Sequence, residues 1–146
     1  MQDYHYTESG LRHVYLTGGK ILRDDHGEEV IHIPAIHQLH QFLAKTILTS
    51  THKLAGDELR FLRTELGLTQ IQLAQTLHCK PLTVGRWERE DTPMPAAAEA
   101  LFRKLACEEL GIKIAMSDLN TYSATKSGPH DIRVDASNPP HYKRAA

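Results

Sequence analysis

The stretch LTQIQLAQTLHCKPLTVGRWE, residues 68–88, decides the fold of this 146-residue chain. It predicts two short helices joined by a tight turn. Thr69 is a favourable N-cap for the first helix, and Gln72 follows three residues later, as a capping box requires. The chain must then reverse at His78, and histidine adopts the positive φ that such a turn needs more readily than most residues other than glycine.

The second helix is predicted to run from Lys80 or Pro81 to Glu88. Pro81 suits the first helical position, where its missing N–H costs nothing. Val84 and Trp87 lie three residues apart and are predicted to face the interior. The residues predicted to face outward are Leu82, Gly85, Arg86 and Arg89. This outward face carries arginine and no acid, so it is consistent with a helix that enters a DNA major groove. A plain helical hairpin is the structural alternative.

These residues resemble the Cro/C1 repressor family, often called XRE, over about residues 57–111. The matching pattern is Gln70, Leu73-Ala74, Leu77, Thr83-Val84 and Arg86-Trp87-Glu88. The resemblance implies an all-α domain of four or five helices, with its first helix over Asp57–Leu66 and a later one over Ala96–Leu110. Pro95 suits the start of that later helix, and Gly111 suits its end.

The resemblance also implies roles in DNA binding. Positions that meet the phosphate backbone are matched by Gln70, Lys80 and Thr83, and positions that face base edges by Pro81, Leu82, Gly85 and Arg86. Arg86 is the best candidate for a bidentate contact to guanine, and Leu82 could touch a thymine methyl group. Arg89 adds a further positive charge to this predicted site. Trp87 is predicted to belong to the core rather than to stack on a base.

Composition is that of an ordinary globular protein. The formal net charge is −1, but the segment 80–89 is locally basic, as contact with phosphates requires. No apolar run approaches the length of a membrane span, and no signal-peptide pattern opens the chain. The two cysteines, Cys79 and Cys107, make no disulfide framework. These features predict a cytoplasmic protein without a membrane partner.

Outside the helix-turn-helix, the sequence predicts a small β-meander followed by a helix. The candidate strands are Tyr4–Thr7, Arg12–Thr17, Lys20–Arg23 and Glu29–Ile33, and the helix runs from Pro34 to about Thr49. The predicted fold class is therefore α+β, in three parts: residues 1–50 for dimerisation or partner binding, residues 56–116 as the DNA-binding domain, and residues 117–146 as a flexible tail. Alternatively, Ile132 and Val134 could add a strand to a sheet edge when the tail folds onto a partner.

Tyr4–Leu11 and Val14–Leu16 resemble the N-terminal region of MqsA-type antitoxins, which combine an N-terminal module with a C-terminal XRE domain. In the best-known members paired cysteines bind zinc in that module. This chain has no cysteine before Cys79, so that zinc site cannot exist in its usual form. The resemblance implies a homodimeric repressor that is encoded beside a toxin, binds double-stranded DNA at a palindromic operator and represses its own operon.

Two other functions remain open. The chain could be chiefly a module that neutralises a toxin, with DNA binding secondary. His32, His37 and His40 could instead serve a metal-sensing regulator, but no nearby carboxylate or cysteine completes a closed metal site. A solvated, partly buried histidine face is the simpler interpretation. No catalytic constellation, metal motif or cofactor motif stands out, so we expect a regulator without cofactors rather than an enzyme.

Overall fold

The computed structural model describes residues 3–113 and 131–145. Its strands are β1 (Tyr4–His5), β2 (Val14–Thr17), β3 (Lys20–Arg23), β4 (Glu29–His32), β5 (Ile132–Asp135) and β6 (Lys143–Arg144). Its helices are α1 (Ile36–Leu48), α2 (Gly56–Glu65), α3 (Gln70–Leu77), α4 (Pro81–Glu88) and α5 (Ala96–Leu110). The predicted α+β class, with N-terminal strands and a helical domain, is confirmed. The chain divides into two compact units, one of residues 1–43 and 130–146, the other of residues 44–129.

The four-stranded sheet of the first unit is built from N-terminal and C-terminal segments of the chain. Its strand order is β1-β2-β5-β6, in which β2 and β5 are parallel and the outer pairings are antiparallel. Val14 lies beside Ile132, and Leu16 lies beside Val134. All four side chains are almost completely buried. Because side chains alternate between the two faces of a strand, this buries one face of the central strand pair.

The structure corrects two predictions about the first unit. The four N-terminal strands occur near their predicted positions, but they do not form a meander: β3 and β4 make a separate two-stranded sheet, and β2 pairs with β5. The predicted flexible tail, residues 117–146, is also corrected for residues 131–145. Buried Ile132 and Val134 hold β5 beside β2 of the same chain, because covering their apolar surface offsets the entropy lost in ordering the segment. Residues 117–130 lie outside the described residues.

The predicted helix over Pro34–Thr49 is confirmed, with observed bounds of Ile36–Leu48. Leu39 and Leu43 point from its first half into the core of the strand unit. His40 on the same part of the helix hydrogen-bonds through Nε2 to the hydroxyl of buried Tyr6, at 2.8 Å. This part of α1 therefore packs as an ordinary amphipathic helix.

The helical unit follows the predicted boundaries closely. α3, α4 and α5 begin and end where the sequence places them, and α2 begins and ends one residue earlier than predicted. Fully buried apolar residues of its core include Leu59, Leu62, Leu73, Val84 and Phe102. Each helix contributes to this set, so the unit has one continuous hydrophobic interior.

A buried ionic cluster organises the start of the helical unit. The Arg103 side chain is completely buried, and its guanidinium donates hydrogen bonds to the backbone carbonyls of Ile47, Leu48 and His52. It also lies 3.3 Å from an oxygen of Glu99. Burial raises the pKa of the Glu99 carboxyl, and the Arg103 charge partly opposes that shift. Arg103 thus supplies hydrogen-bond donors to backbone carbonyls at the end of α1 and in the loop that follows it.

Candidate nucleic-acid interface

The capping box predicted for α3 is present in full. The Thr69 hydroxyl accepts the backbone N–H of Gln72 at 3.1 Å, and the Gln72 side chain accepts the backbone N–H of Thr69 at 2.9 Å. Two N–H groups at the helix start are satisfied reciprocally by these contacts. The start of α3 is therefore fixed by residues at its own N-terminus.

The turn between α3 and α4 has the predicted left-handed residue. His78 has φ 57° and ψ 44°, a conformation that histidine tolerates better than bulky or β-branched residues do. The backbone N–H of Cys79 returns to the carbonyl of Ala74 at 2.9 Å, which closes the end of α3. The chain then leaves in the direction of α4.

α4 starts without a side-chain cap. Lys80 is extended, with φ −84° and ψ 146°, and makes no side-chain hydrogen bond to the helix start. Pro81 occupies the first turn, as predicted, and both residues are exposed. Thr83, one turn further on, is half-buried. The first turn of α4 therefore presents a lysine ammonium and a proline ring to solvent.

α4 has the predicted buried face, with Val84 and Trp87, and the predicted exposed face, with Leu82 and Arg86. Val84 is completely buried and Trp87 is 7 % exposed, which confirms both as core residues. Leu82 is 57 % exposed and Arg86 is also exposed. Within residues 3–113 and 131–145, the Arg86 guanidinium forms no hydrogen bond or ion pair. Its five donors remain available to an external acceptor.

Gly85 does not face outward, contrary to the prediction. It is buried, and a β-carbon added there would lie 3.1 Å from a guanidinium nitrogen of Arg89 and 3.6 Å from the amide of Gln70. The side chains of these two residues thus lie against the glycine. Gly85 permits their close approach to α4, and its own surface is not free to meet a base edge.

Glu88 joins three helices through interactions that the sequence analysis did not assign. Its carboxylate accepts hydrogen bonds from Arg63 of α2 at 2.6 and 3.2 Å and from the amide nitrogen of Gln70 at 3.0 Å. Arg63 also donates to the backbone carbonyl of Leu68 at 2.9 Å. The Glu88 and Arg63 side chains are only 5 % and 13 % exposed. Such a shielded, charge-assisted pair holds the relative positions of α2, α3 and α4.

Arg89 is exposed as predicted, but it has a partner. Its Nε lies 3.1 Å from a carboxylate oxygen of Asp91, and both side chains are more than half exposed. An exposed ion pair of this kind is weak in water. A phosphate can therefore displace Asp91 at small cost.

The structure thus brings four helices together around an outward face that carries Arg86. Residues 59–112 match a family model, HTH_3, described as Helix-turn-helix. The HTH_3 segment covers most of α2 and all of α3, α4 and α5. The match supports a DNA-binding transcriptional regulator that contains a helix-turn-helix. Comparisons with curated proteins and with solved structures found no match.

We also searched the described residues for a metal site and for a membrane-spanning helix. Among the described residues, no group of three or more histidine, cysteine, aspartate or glutamate side chains is placed to hold a metal ion. His40, one of the candidate sensor ligands, is engaged by Tyr6. No helix in residues 3–113 or 131–145 is long and apolar enough to cross a membrane.

Proposed function

We propose that the protein is a sequence-specific DNA-binding transcriptional repressor that acts as a homodimer on a palindromic operator. The observation that carries this proposal is the exposed guanidinium of Arg86 on a helix whose opposite side is anchored by buried Val84 and Trp87. A guanidinium held on a rigid helix is suited to bidentate contact with O6 and N7 of guanine in the major groove.

Polar groups at the starts of α3 and α4 would position this helix on the phosphate backbone. Lys80 supplies an exposed charge, and Thr83 a hydroxyl. The Gln70 amide nitrogen donates one hydrogen to Glu88, which leaves its second hydrogen for a phosphate oxygen. Arg89 would exchange Asp91 for a phosphate. These contacts carry no sequence information, but they set the orientation from which Arg86 reads a base.

Direct readout would depend mainly on Arg86. Leu82 and Pro81 offer apolar surface to a thymine methyl group, and buried Gly85 contributes none. Since one half-site would contain few base contacts, two half-sites about 34 Å apart would be needed for adequate specificity. Sequence-dependent DNA shape would supply the remainder.

A DNA-binding titration with a matched control tests this proposal. Fluorescence anisotropy would compare a duplex from the DNA upstream of the gene with a scrambled duplex of the same length. Arg86→Ala should weaken specific binding by about 1–3 kcal/mol and leave non-specific binding nearly unchanged. Arg60→Ala removes an equal charge from an exposed position on α2 and should change specific binding much less. Unchanged specific binding by the Arg86 variant would contradict the proposed readout.

We also propose that the repressor is the antitoxin of a cytoplasmic toxin–antitoxin pair. This part rests on the resemblance of residues 4–16 to MqsA-type antitoxins. A small toxin encoded beside the gene, whose product co-purifies with the chain, is the expected result. An isolated gene whose product captures no partner would contradict the antitoxin role and leave the DNA-binding proposal intact.

A further inference from the structure

The β3–β4 hairpin has the features of an incomplete sheet. Among residues 3–113 and 131–145, these two strands pair only with each other and form a sheet of their own. Leu22 and Val30 are directly opposite each other in this pairing, and they are 51 % and 41 % exposed. A two-stranded hairpin is marginally stable in water, and its free edges are templates for further strands.

We propose that β4 pairs with β4 of a second copy of this chain, antiparallel and centred on Val30. The product is a four-stranded sheet in the order β3-β4-β4-β3. This inference rests on the proposed function, because it names the surface through which the repressor becomes a homodimer. A twofold axis perpendicular to the sheet places Val30 opposite the partner's Val30 and Glu28 opposite the partner's His32.

Hydrogen-bonding complementarity between a carboxylate and an imidazole favours a second copy as the occupant of this edge. Glu28 immediately precedes β4 and His32 is its last residue. Both are exposed, and each lies two residues from Val30, the spacing that places side chains on one side of an extended chain. The twofold axis therefore creates two Glu–His pairs, one at each end of the interface. An imidazole N–H can donate a hydrogen bond to a carboxylate on the neighbouring strand, whereas like charges there are destabilising. An acid, an apolar residue and a histidine in this order are complementary to their own copy when the strand pairs antiparallel.

Apolar contact adds to these pairs. Across the four strands, Leu22 and Val30 of one copy would lie in one row with the partner's Val30 and the partner's Leu22. Each neighbour in such a row lies within contact distance. Solvent now covers about half of each side chain, so pairing removes apolar surface from water.

On the opposite edge, β3, the acidic residue at the corresponding position already has hydrogen-bond partners in the hairpin turn. That residue is Asp24, and Oδ1 of its carboxylate accepts the backbone N–H groups of His26 and Glu28, each at 2.9 Å. Asp24 thus holds the hairpin turn. Glu28 has no hydrogen bond or ion pair from its side chain within the described residues, so its carboxylate is available to a partner.

Sedimentation analysis of the full chain without DNA tests the β4 edge against the β3 edge. Val30→Lys places two ammonium groups face to face at the twofold axis and should raise the dimer dissociation constant at least about tenfold. Leu22→Lys makes the same change at the neighbouring strand and should raise it by less than about threefold. A monomeric wild type, an unaffected Val30 variant or a larger effect of the Leu22 variant would overturn the inference.

A charge exchange provides a second test that does not depend on Val30. His32→Glu sets Glu28 against a glutamate at both ends of the interface and should weaken dimerisation about tenfold. The double variant Glu28→Lys/His32→Glu places a lysine opposite a glutamate at both ends and should return the dissociation constant to the wild-type range. Equal weakening by the single and double variants would overturn the pairing. Circular dichroism of each variant verifies that the chain remains folded.

DNA binding separates the failure of this inference from that of the proposed function. The Val30→Lys chain should bind a duplex with one half-site as the wild type does, and should lose affinity for the full operator. If this variant disrupts the dimer while Arg86→Ala leaves DNA binding unchanged, the DNA readout fails and the β4 interface stands. If the dimer survives both β4 tests while Arg86→Ala weakens DNA binding, the interface fails and the repressor stands.

Discussion

The helix-turn-helix of residues 68–88 and the four-stranded sheet differ in how far apart along the chain their stabilising partners lie. The cap of α3 joins residues three apart, and the turn at His78 is closed by hydrogen bonds between residues three and five positions apart. In the sheet, the hydroxyl of Thr17 donates to the carbonyl of Val134, 117 positions away. The start of α3 and the turn into α4 are thus stabilised by contacts between near neighbours in the sequence, whereas β2 depends on a strand from the C-terminal part of the chain.

The largest effect is expected where the sheet depends on its distant strand. Val134→Asp places a carboxylate in a position that is completely buried, and should destabilise the strand unit by about 4 kcal/mol. Amide hydrogen exchange should show loss of protection in β1, β2 and β5. Arg133→Ala, at the exposed neighbouring position, should cost less than about 1 kcal/mol. Retained protection of β2 in the aspartate variant would contradict the importance of β5.

A smaller loss is expected at the carboxylate of Glu88, which joins α2, α3 and α4. Glu88→Gln removes the charge that receives Arg63 and Gln70, and should lower the free energy of unfolding by about 2–3 kcal/mol. DNA affinity should fall as well, because Gln70 and α4 lose their common anchor. Urea denaturation measures the first effect and the anisotropy titration the second.

The matched control for that change is Glu108→Gln. Glu108 forms an exposed ion pair with Lys104 within α5, so this variant should change stability by less than about 0.5 kcal/mol. Similar losses for the two glutamate variants would mean that the Glu88 contacts do not stabilise the three-helix junction.

A change confined to one helical turn should have a moderate effect. Thr69→Ala removes the N-cap acceptor of α3 and should destabilise the helical unit by about 1 kcal/mol. Thr76→Ala alters the same helix near its end, where the hydroxyl donates to the carbonyl of Gln72, and should be neutral or slightly stabilising. Thermal unfolding of both variants compares the cap with the interior. Equal stabilities would argue against the cap as the local determinant of α3.

The smallest expected effect is a change in the pH at which the Tyr4 phenol of the strand unit ionises. The hydrogen bond from the Tyr4 hydroxyl to the Glu8 carboxylate raises the pKa of that phenol to about 12. Since the folded state favours the neutral phenol, its contribution to stability is complete below about pH 10 and is lost as the pH rises to about 12. Glu8→Gln should move this titration to lower pH, as measured by tyrosinate absorbance. The variant Tyr4→Phe identifies which part of the absorbance change belongs to Tyr4. Glu28→Gln, at an exposed position of the hairpin, should leave it in place.

The success of prediction from sequence followed the same division between local and distant contacts. The cap at Thr69, the left-handed His78, the proline at the start of α4 and the inward Val84 and Trp87 were all predictable, because each depends on neighbours within one or two helical turns. Gly85 was predicted to be exposed, although in the structure the side chains of Gln70 and Arg89 cover it. Helical periodicity cannot reveal coverage by long side chains from other positions.

The sequence by itself determined the positions of the helices and the exposed arginine of α4, since caps, turn residues and apolar periodicity act over a few residues. Only the tertiary structure decided that residues 131–145 complete the sheet, that Glu88 links α2, α3 and α4, and that Arg103 is buried among backbone carbonyls. These features join residues 18 to more than 100 positions apart. Such contacts form because they bury apolar surface and pair buried charges in the folded chain. A local sequence pattern does not indicate which distant segment will provide the partner.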